Sequence, residues 1–231
     1  MTTSTSLSVK SRDGLEFQAY VASPKSGSGP AIIVIQEIFG INGWIRSVAD
    51  RLAQQGYFAV APDLFHRQEP GIQLTDQTEA EWARAFELYK GFDENKGVDD
   101  IADTIAAAKA LPGCNGKVGA MGYCLGGKLA FLVSTRTDAT CSVGFYGVAI
   151  ENNLSEEVRL PLMLHIAAED KYVPPDAQQQ IKDKLGRNPL VTLLSYPADH
   201  AFCRIGGEHY DKAQCEKAND ATAQFFKKHL G

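Results

Sequence analysis

The chain has 231 residues, of which 44% are hydrophobic and 22% are charged, and it carries a formal net charge of −5. These values suit one folded α/β domain, which we expect to span residues 1–231, and they argue against a disordered chain or a membrane protein. The acidic balance argues against nucleic acid as a partner.

The N-terminus and the cysteines favour a cytoplasmic location. The first residues lack the basic and apolar stretches of a secretion signal, and no apolar run approaches the length of a membrane span. The five cysteines are irregularly spaced, at Cys114, Cys124, Cys141, Cys203 and Cys215. An odd number without a Cys-x-x-Cys pair predicts free thiols in a reducing compartment, not a disulfide framework or a zinc site. We interpret Cys203 as a packing residue.

Strand and helix patterns alternate along most of the chain. A turn at Arg12-Asp13-Gly14 predicts a hairpin between the alternating stretches 7–9 and 15–21. The strands predicted after it are 31–35, 57–61, 116–121, 141–146, 162–166 and 190–196. The predicted helices are 43–55, 78–89, 99–111, 128–133, 175–185 and 210–230. Repeated strand–helix units predict a mostly parallel sheet with helices on both faces, and ligands bind at the carboxyl ends of such strands.

The run Gly122-Tyr123-Cys124-Leu125-Gly126 lies between a predicted strand and a predicted helix. Gly-x-Cys-x-Gly in this context is typical of a nucleophile elbow, with cysteine in place of the usual serine. The tight turn requires small neighbours, which Gly122 and Gly126 provide. The helix N-terminus favours a thiolate at Cys124. The alternative is a buried structural cysteine in a glycine-rich turn.

A thiol nucleophile needs a base, and five histidines are candidates. His200 follows the last predicted strand, which is where a base must lie to reach the elbow. His165 lies inside an apolar strand and is interpreted as a core histidine with satisfied hydrogen bonds. His209 and His229 are predicted to be at the surface, and His66 is ambiguous.

The acid that orients the base should follow the strand at 162–166. Asp170 is the preferred candidate and Glu169 its rival, with a turn or helix-cap role as the alternative for either. Asp199 adjoins the histidine, but adjacent side chains rarely point at each other as required. The order Cys124, Asp170, His200 matches nucleophile, acid and base of the α/β-hydrolase arrangement.

The oxyanion formed during acyl transfer needs two N–H donors. One is expected to be the backbone N–H of Leu125, the residue after the nucleophile. The other is expected from the loop after the strand at 31–35, where Ile38 is the candidate donor.

Together these motifs resemble the dienelactone hydrolase family, also called carboxymethylenebutenolidases, over nearly the whole chain. The two most specific pieces are Gln36-Glu37-Ile38-Phe39-Gly40 and Gly122-Tyr123-Cys124-Leu125-Gly126-Gly127. Further matching pieces are Gln55-Gly56-Tyr57, Pro62-Asp63-Leu64, Gly116-Lys117-Val118-Gly119, Tyr146-Gly147-Val148 and the segment 199–204. The resemblance implies an α/β-hydrolase fold without a large cap domain.

The resemblance also implies roles for individual residues. It makes Cys124 the nucleophile, His200 the base and Asp170 its orienting acid. Glu37 would contact the cysteine and help to generate the thiolate, although from its position alone it is only a loop carboxylate. Arg204 would bind a substrate carboxylate, the alternative being a solvated loop residue.

This chain departs from the family pattern at its substrate site. Trp82 stands where the family's prototype has a second carboxylate-binding arginine, and Arg84 lies two positions further on, about 200° around a helix. Phe145 replaces a tyrosine, which removes a hydroxyl. We expect Trp82, Arg84, Tyr146 and Phe39 to line the substrate site.

The predicted function is hydrolysis of a small-molecule lactone through an acyl-enzyme, without a metal or organic cofactor. One alternative is a related hydrolase that prefers small uncharged esters. Another is a binding module without catalysis on the same fold, because fold alone does not prove activity. No dimer motif is visible, so a monomer is the simplest expectation.

Overall fold

The computed structural model describes residues 3–231. Its strands are β1 (Thr3–Lys10), β2 (Glu16–Ser23), β3 (Gly29–Ile35), β4 (Phe58–Pro62), β5 (Cys114–Tyr123), β6 (Cys141–Phe145), β7 (Leu162–Ala167) and β8 (Val191–Tyr196). Its helices are α1 (Gly43–Gln54), α2 (Glu79–Lys90), α3 (Glu94–Lys109), α4 (Leu125–Arg136), α5 (Pro175–Leu185) and α6 (Lys212–Leu230).

The strands form one sheet in the order β1-β2-β4-β3-β5-β6-β7-β8. β2 pairs antiparallel with β1 and β4, whereas β3 with β4, β6 with β7, and β7 with β8 are parallel pairs. The mostly parallel α/β architecture predicted from the sequence is therefore confirmed. Contacts divide the chain into two compact units, 1–119 and 120–231, and their boundary lies inside β5.

Helix caps explain where the helices of the first unit begin. Thr78 accepts the Glu81 N–H at 3.2 Å, as its capping-box spacing predicts. α3 begins five residues earlier than the apolar pattern indicates, because Asp93 caps it by accepting N–H bonds from Asn95 and Lys96. The first turn of α3 is polar, so periodicity alone could not reveal it.

The second unit contains a fully buried histidine that links three elements. His165 on β7 hydrogen-bonds the Tyr196 hydroxyl of β8 at 2.9 Å and Thr222 Oγ1 of α6 at 2.8 Å. Burial lowers the pKa of His165 to about 3, so its ring is neutral. This confirms the interpretation of His165 as a core histidine. A short 3₁₀ turn at Ile150–Asn153 was not predicted.

The prediction of five free thiols is wrong for one pair. Cys203 and Cys215 form a disulfide, whereas Cys114, Cys124 and Cys141 are free. The loop before α6 folds back so that the two Cα atoms lie 4.8 Å apart, within the range that a disulfide spans. Spacing along the chain does not reveal such a pairing, because connectivity depends on the fold. Within the described part of the chain, no helix is long and apolar enough to cross a membrane.

Candidate active site

Cys124 occupies a strained turn between β5 and α4. Its backbone has φ 54° and ψ −114°, a conformation that residues other than glycine rarely adopt. The turn is held by the Cys124 N–H, which donates to Phe145 O at 3.0 Å, and by the Cys124 carbonyl, which accepts the Lys128 N–H at 3.1 Å. A side chain at Gly122 would collide with the backbone of Gly126, so glycine is required there. The strand–turn–helix geometry agrees with the predicted elbow.

His200 and Asp170 form a buried pair beside this turn. Asp170 Oδ2 lies 2.7 Å from His200 Nδ1, and the His200 ring also hydrogen-bonds the Cys124 side chain. Burial lowers the pKa of His200, but the adjacent Cys124 thiolate and the Asp170 carboxylate outweigh it and raise the pKa to about 10. The His200 ring is therefore protonated near neutral pH.

Parallel pairing of β7 with β8 explains how distant residues meet. The pairing continues beyond the strand ends, where Ala168 N–H donates to Tyr196 O and Glu169 N–H donates to Ala198 O. The segments that carry Asp170 and His200 are thereby brought side by side. Strand ends of a parallel sheet commonly carry functional residues for this reason.

The structure distinguishes Asp170 from its two rivals. Glu169 is exposed and takes part through its backbone. Asp199 accepts the backbone N–H of His200 at 2.6 Å, and its other oxygen lies 3.3 Å from His209 Nδ1. Among these three carboxylates, Asp170 is the one bonded to the His200 ring.

Two tyrosine rings pack against His200. Tyr146 is buried, and its ring centroid lies 5.1 Å from that of His200 at an interplanar angle of 64°. The Tyr172 centroid lies 4.9 Å away at 70°. Tyr172 was not among the residues predicted from the sequence. Arg204 is only 9% exposed, in contrast to the alternative of a solvated loop residue.

Further strained positions lie next to these side chains. Tyr146 has φ 37° and Ala201 has φ 63°. With Cys124, they make three non-glycine residues of positive φ in or beside the same cluster. Strain of this kind accumulates at functional sites, where the surrounding structure holds the backbone in place.

Leu125 is the first residue of α4 in the second unit, and the first unit contains the five remaining predicted site residues. Glu37, Ile38 and Phe39 follow β3 and are all buried. The side chain of Gln36 braces their loop, because its Oε1 accepts the Leu64 N–H at 3.1 Å.

The two aromatic candidates of this unit are in contact, whereas Arg84 is bound elsewhere. The rings of Phe39 and Trp82 pack edge to face with centroids 5.0 Å apart. Trp82 Nε1 donates to Asp76 O at 3.0 Å. Arg84 forms ion pairs with Glu69 and Glu87, so its charge is already balanced by two carboxylates.

A mostly parallel sheet with a strained cysteine turn after β5, an aspartate after β7 and a histidine after β8 has the arrangement of an α/β-hydrolase. The model of the dienelactone hydrolase family matches residues 17–230. The chain therefore belongs to the dienelactone hydrolase family and is a hydrolase.

Individual relatives agree with this assignment. The chain is 40% identical to carboxymethylenebutenolidase from Pseudomonas putida, over 95% of this chain and 94% of that protein. It is 39% identical to carboxymethylenebutenolidase 1 from Cupriavidus pinatubonensis, over 94% of this chain and 93% of the relative. Its fold matches a dienelactone hydrolase-like promiscuous phosphotriesterase from metagenomic libraries with a TM-score of 0.80 at 23% identity, covering 99% of each chain.

Proposed function

We propose that this protein opens the ring of a lactone through a covalent acyl-enzyme formed on Cys124. The observation that carries the proposal is the series of hydrogen bonds from Asp170 through His200, both of them buried, to Cys124. A thiolate beside an imidazolium is the reactive form of a catalytic cysteine. The names of the relatives quoted above point to a carboxymethylenebutenolide-type lactone as substrate.

The proposed reaction has two stages. The thiolate attacks the lactone carbonyl, a C–S bond forms, and the negative charge moves to the carbonyl oxygen, which the Leu125 and Ile38 N–H groups stabilise. The charge then returns, the ring C–O bond breaks, and the leaving oxygen, an enolate in the case of a dienelactone, takes the proton of His200, whose ring becomes neutral. Water that gives a proton to His200 then attacks the thioester, releasing the acid and restoring the thiolate. No metal or organic cofactor enters either stage.

The remaining predicted residues have supporting roles in this proposal. Glu37 helps to generate the thiolate, and Arg204 binds a carboxylate of the substrate. Phe39, Trp82 and Tyr146 line the substrate site.

The first test is the removal of the sulfur. Cys124→Ala should lower kcat/KM on a dienelactone by at least about 10³-fold and abolish the acyl-enzyme detected by mass spectrometry. Cys114→Ala is the matched control, because Cys114 is also a free thiol. Turnover by Cys124→Ala equal to that of the unmodified protein would refute the mechanism.

A second candidate function is hydrolysis of small uncharged esters. It is favoured by the Phe39–Trp82 contact and by the two carboxylates that already balance the charge of Arg84. Rates on an anionic lactone and on an uncharged ester of similar size distinguish the two candidates, and a preference for the ester would favour this one.

A further inference from the structure

The segment after β7 places a solvent-facing aromatic ring against His200. Tyr172 is 40% exposed although its ring packs edge to face on the imidazole. Its backbone N–H donates to Asp170 Oδ1 at 2.8 Å, while Asp170 Oδ2 bonds His200. One carboxylate thus fixes both the imidazole and the backbone of the tyrosine. The ring forms an accessible wall beside the reacting groups.

A positive charge lies over this wall. Lys171 Nζ is 5.2 Å from the centre of the Tyr172 ring, within the range of a cation–π contact. The ammonium therefore lies within about 10 Å of the His200 ring, close to the distance over which physiological salt screens a charge. Lys171 is exposed and forms no ion pair with any of residues 3–231.

Two carboxylates near this wall already face histidines, whereas Glu169 is exposed. Asp170 faces His200, and Asp199 lies against His209. An incoming ligand therefore meets Lys171 as a cation whose contact in the protein is an aromatic face, not a carboxylate.

We propose that Lys171 and Tyr172 select substrates that carry a carboxylate. Tyr172 packs on the flat acyl part of the substrate, and Lys171 attracts its negative charge. The inference rests on the proposed function only in taking the Cys124 sulfur as the reacting atom.

The test that does not require turnover compares two alkylating reagents. Iodoacetate and iodoacetamide are nearly the same size but differ by one negative charge, and mass spectrometry reports their rates at Cys124. Lys171→Met should slow the iodoacetate reaction about threefold and leave the iodoacetamide rate unchanged. Lys171→Arg should retain the wild-type ratio of the two rates. Lys184→Met is the control, because Lys184 is an exposed lysine on α5.

The role of the ring is tested in the same assay. Tyr172→Phe should keep the wild-type ratio, because the face that holds the ammonium remains. Tyr172→Ala should lower the ratio of the iodoacetate rate to the iodoacetamide rate nearly as much as Lys171→Met does. The proposal is overturned if Lys171→Met leaves the ratio unchanged or slows both reagents equally.

Hydrolysis supplies the second measurement, on p-nitrophenyl hemisuccinate and p-nitrophenyl butyrate. Lys171→Met should raise KM for the anionic hemisuccinate about three- to tenfold, with kcat and both constants for the butyrate unchanged. If neither these esters nor a dienelactone is hydrolysed but the alkylation ratio still depends on Lys171, the proposed function fails and the selecting role stands. If both esters are hydrolysed through Cys124 and neither depends on Lys171, only the selecting role fails.

Discussion

Asp170 uses both oxygens of its carboxylate, one for His200 Nδ1 and one for the Tyr172 N–H. Its negative charge is one of the causes that raise the pKa of His200. An amide at this position would keep the backbone bond but would not balance an imidazolium. The orientation and the charge of the His200 ring therefore depend on the same side chain.

We expect Asp170→Asn to lower kcat/KM by about 10²- to 10⁴-fold. Because the pKa of His200 falls without the carboxylate, the iodoacetamide rate at Cys124 should fall as well. The pH profiles of both rates are the measurement. Glu169→Gln is the matched control, since Glu169 is exposed and one residue away. An equal loss in the Glu169 variant would contradict the assignment of Asp170.

At the scale of single residues, the sequence predicted the cluster of Cys124, Asp170 and His200 better than the side chains that pack around it. Motif order placed the acid after the strand at 162–166, because the α/β-hydrolase arrangement fixes which strand the acid follows. It did not exclude Glu169, which follows the same strand, and the structure shows Asp170 on the His200 ring. Tyr172 could not be found in this way. Its contact with His200 depends on a turn stabilised by the Asp170 side chain, which spacing does not encode.

At the scale of elements, the loop between β8 and α6 is tied to the helix that follows it. The disulfide joins Cys203 to Cys215, 12 positions further along the chain, and Arg204 lies between them. Asp211 caps α6 by accepting the Gln214 N–H at 3.0 Å. The number and spacing of the cysteines predicted free thiols here. They indicate only whether disulfides are common in a compartment, not whether a particular pair is bonded.

The disulfide predicts how many cysteine thiols react before and after reduction. Under denaturing, non-reducing conditions, three thiols should react with a thiol reagent, and five should react after reduction. Cys203→Ser should lower the free energy of unfolding by about 3 kcal/mol, because the unfolded chain regains the freedom that the loop removed. Cys141→Ser, which changes a free buried cysteine, should leave the difference of two thiols between the two conditions intact. Five reactive thiols before reduction would show that the pair is not bonded.

At the scale of the whole molecule, stability depends on pH through His165. Its pKa is about 3 in the folded protein, whereas an unfolded histidine has a pKa of about 6.5. Between these values the unfolded state binds one more proton, so the free energy of unfolding falls as the pH is lowered, by about 1.4 kcal/mol per pH unit.

Chemical denaturation at pH 6.5 and pH 4.5 measures this loss. We expect the wild-type protein to lose about 2–3 kcal/mol more than His165→Gln over this interval, because glutamine does not titrate. His209→Gln, a half-exposed histidine of the same unit, should behave like the wild type. Equal pH dependence in His165→Gln and the wild type would contradict a neutral buried ring.

The architecture as a whole was the most predictable part. Apolar runs such as 31–35 mark buried parallel strands, and the hairpin turn at residues 12–14 marks the antiparallel edge. Hydrogen bonds that join distant segments, such as the one between His165 and Thr222, produce no periodic sequence pattern. The sequence alone could therefore not predict them.

The backbone of residue 124 has a further consequence for protein engineering. A positive φ costs an ordinary side chain about 1–3 kcal/mol, and glycine avoids most of that cost. Stability therefore favours glycine at residue 124, whereas the proposed chemistry requires cysteine. Under the proposed mechanism, selection for thermal stability alone would favour Cys124→Gly, which has no nucleophile.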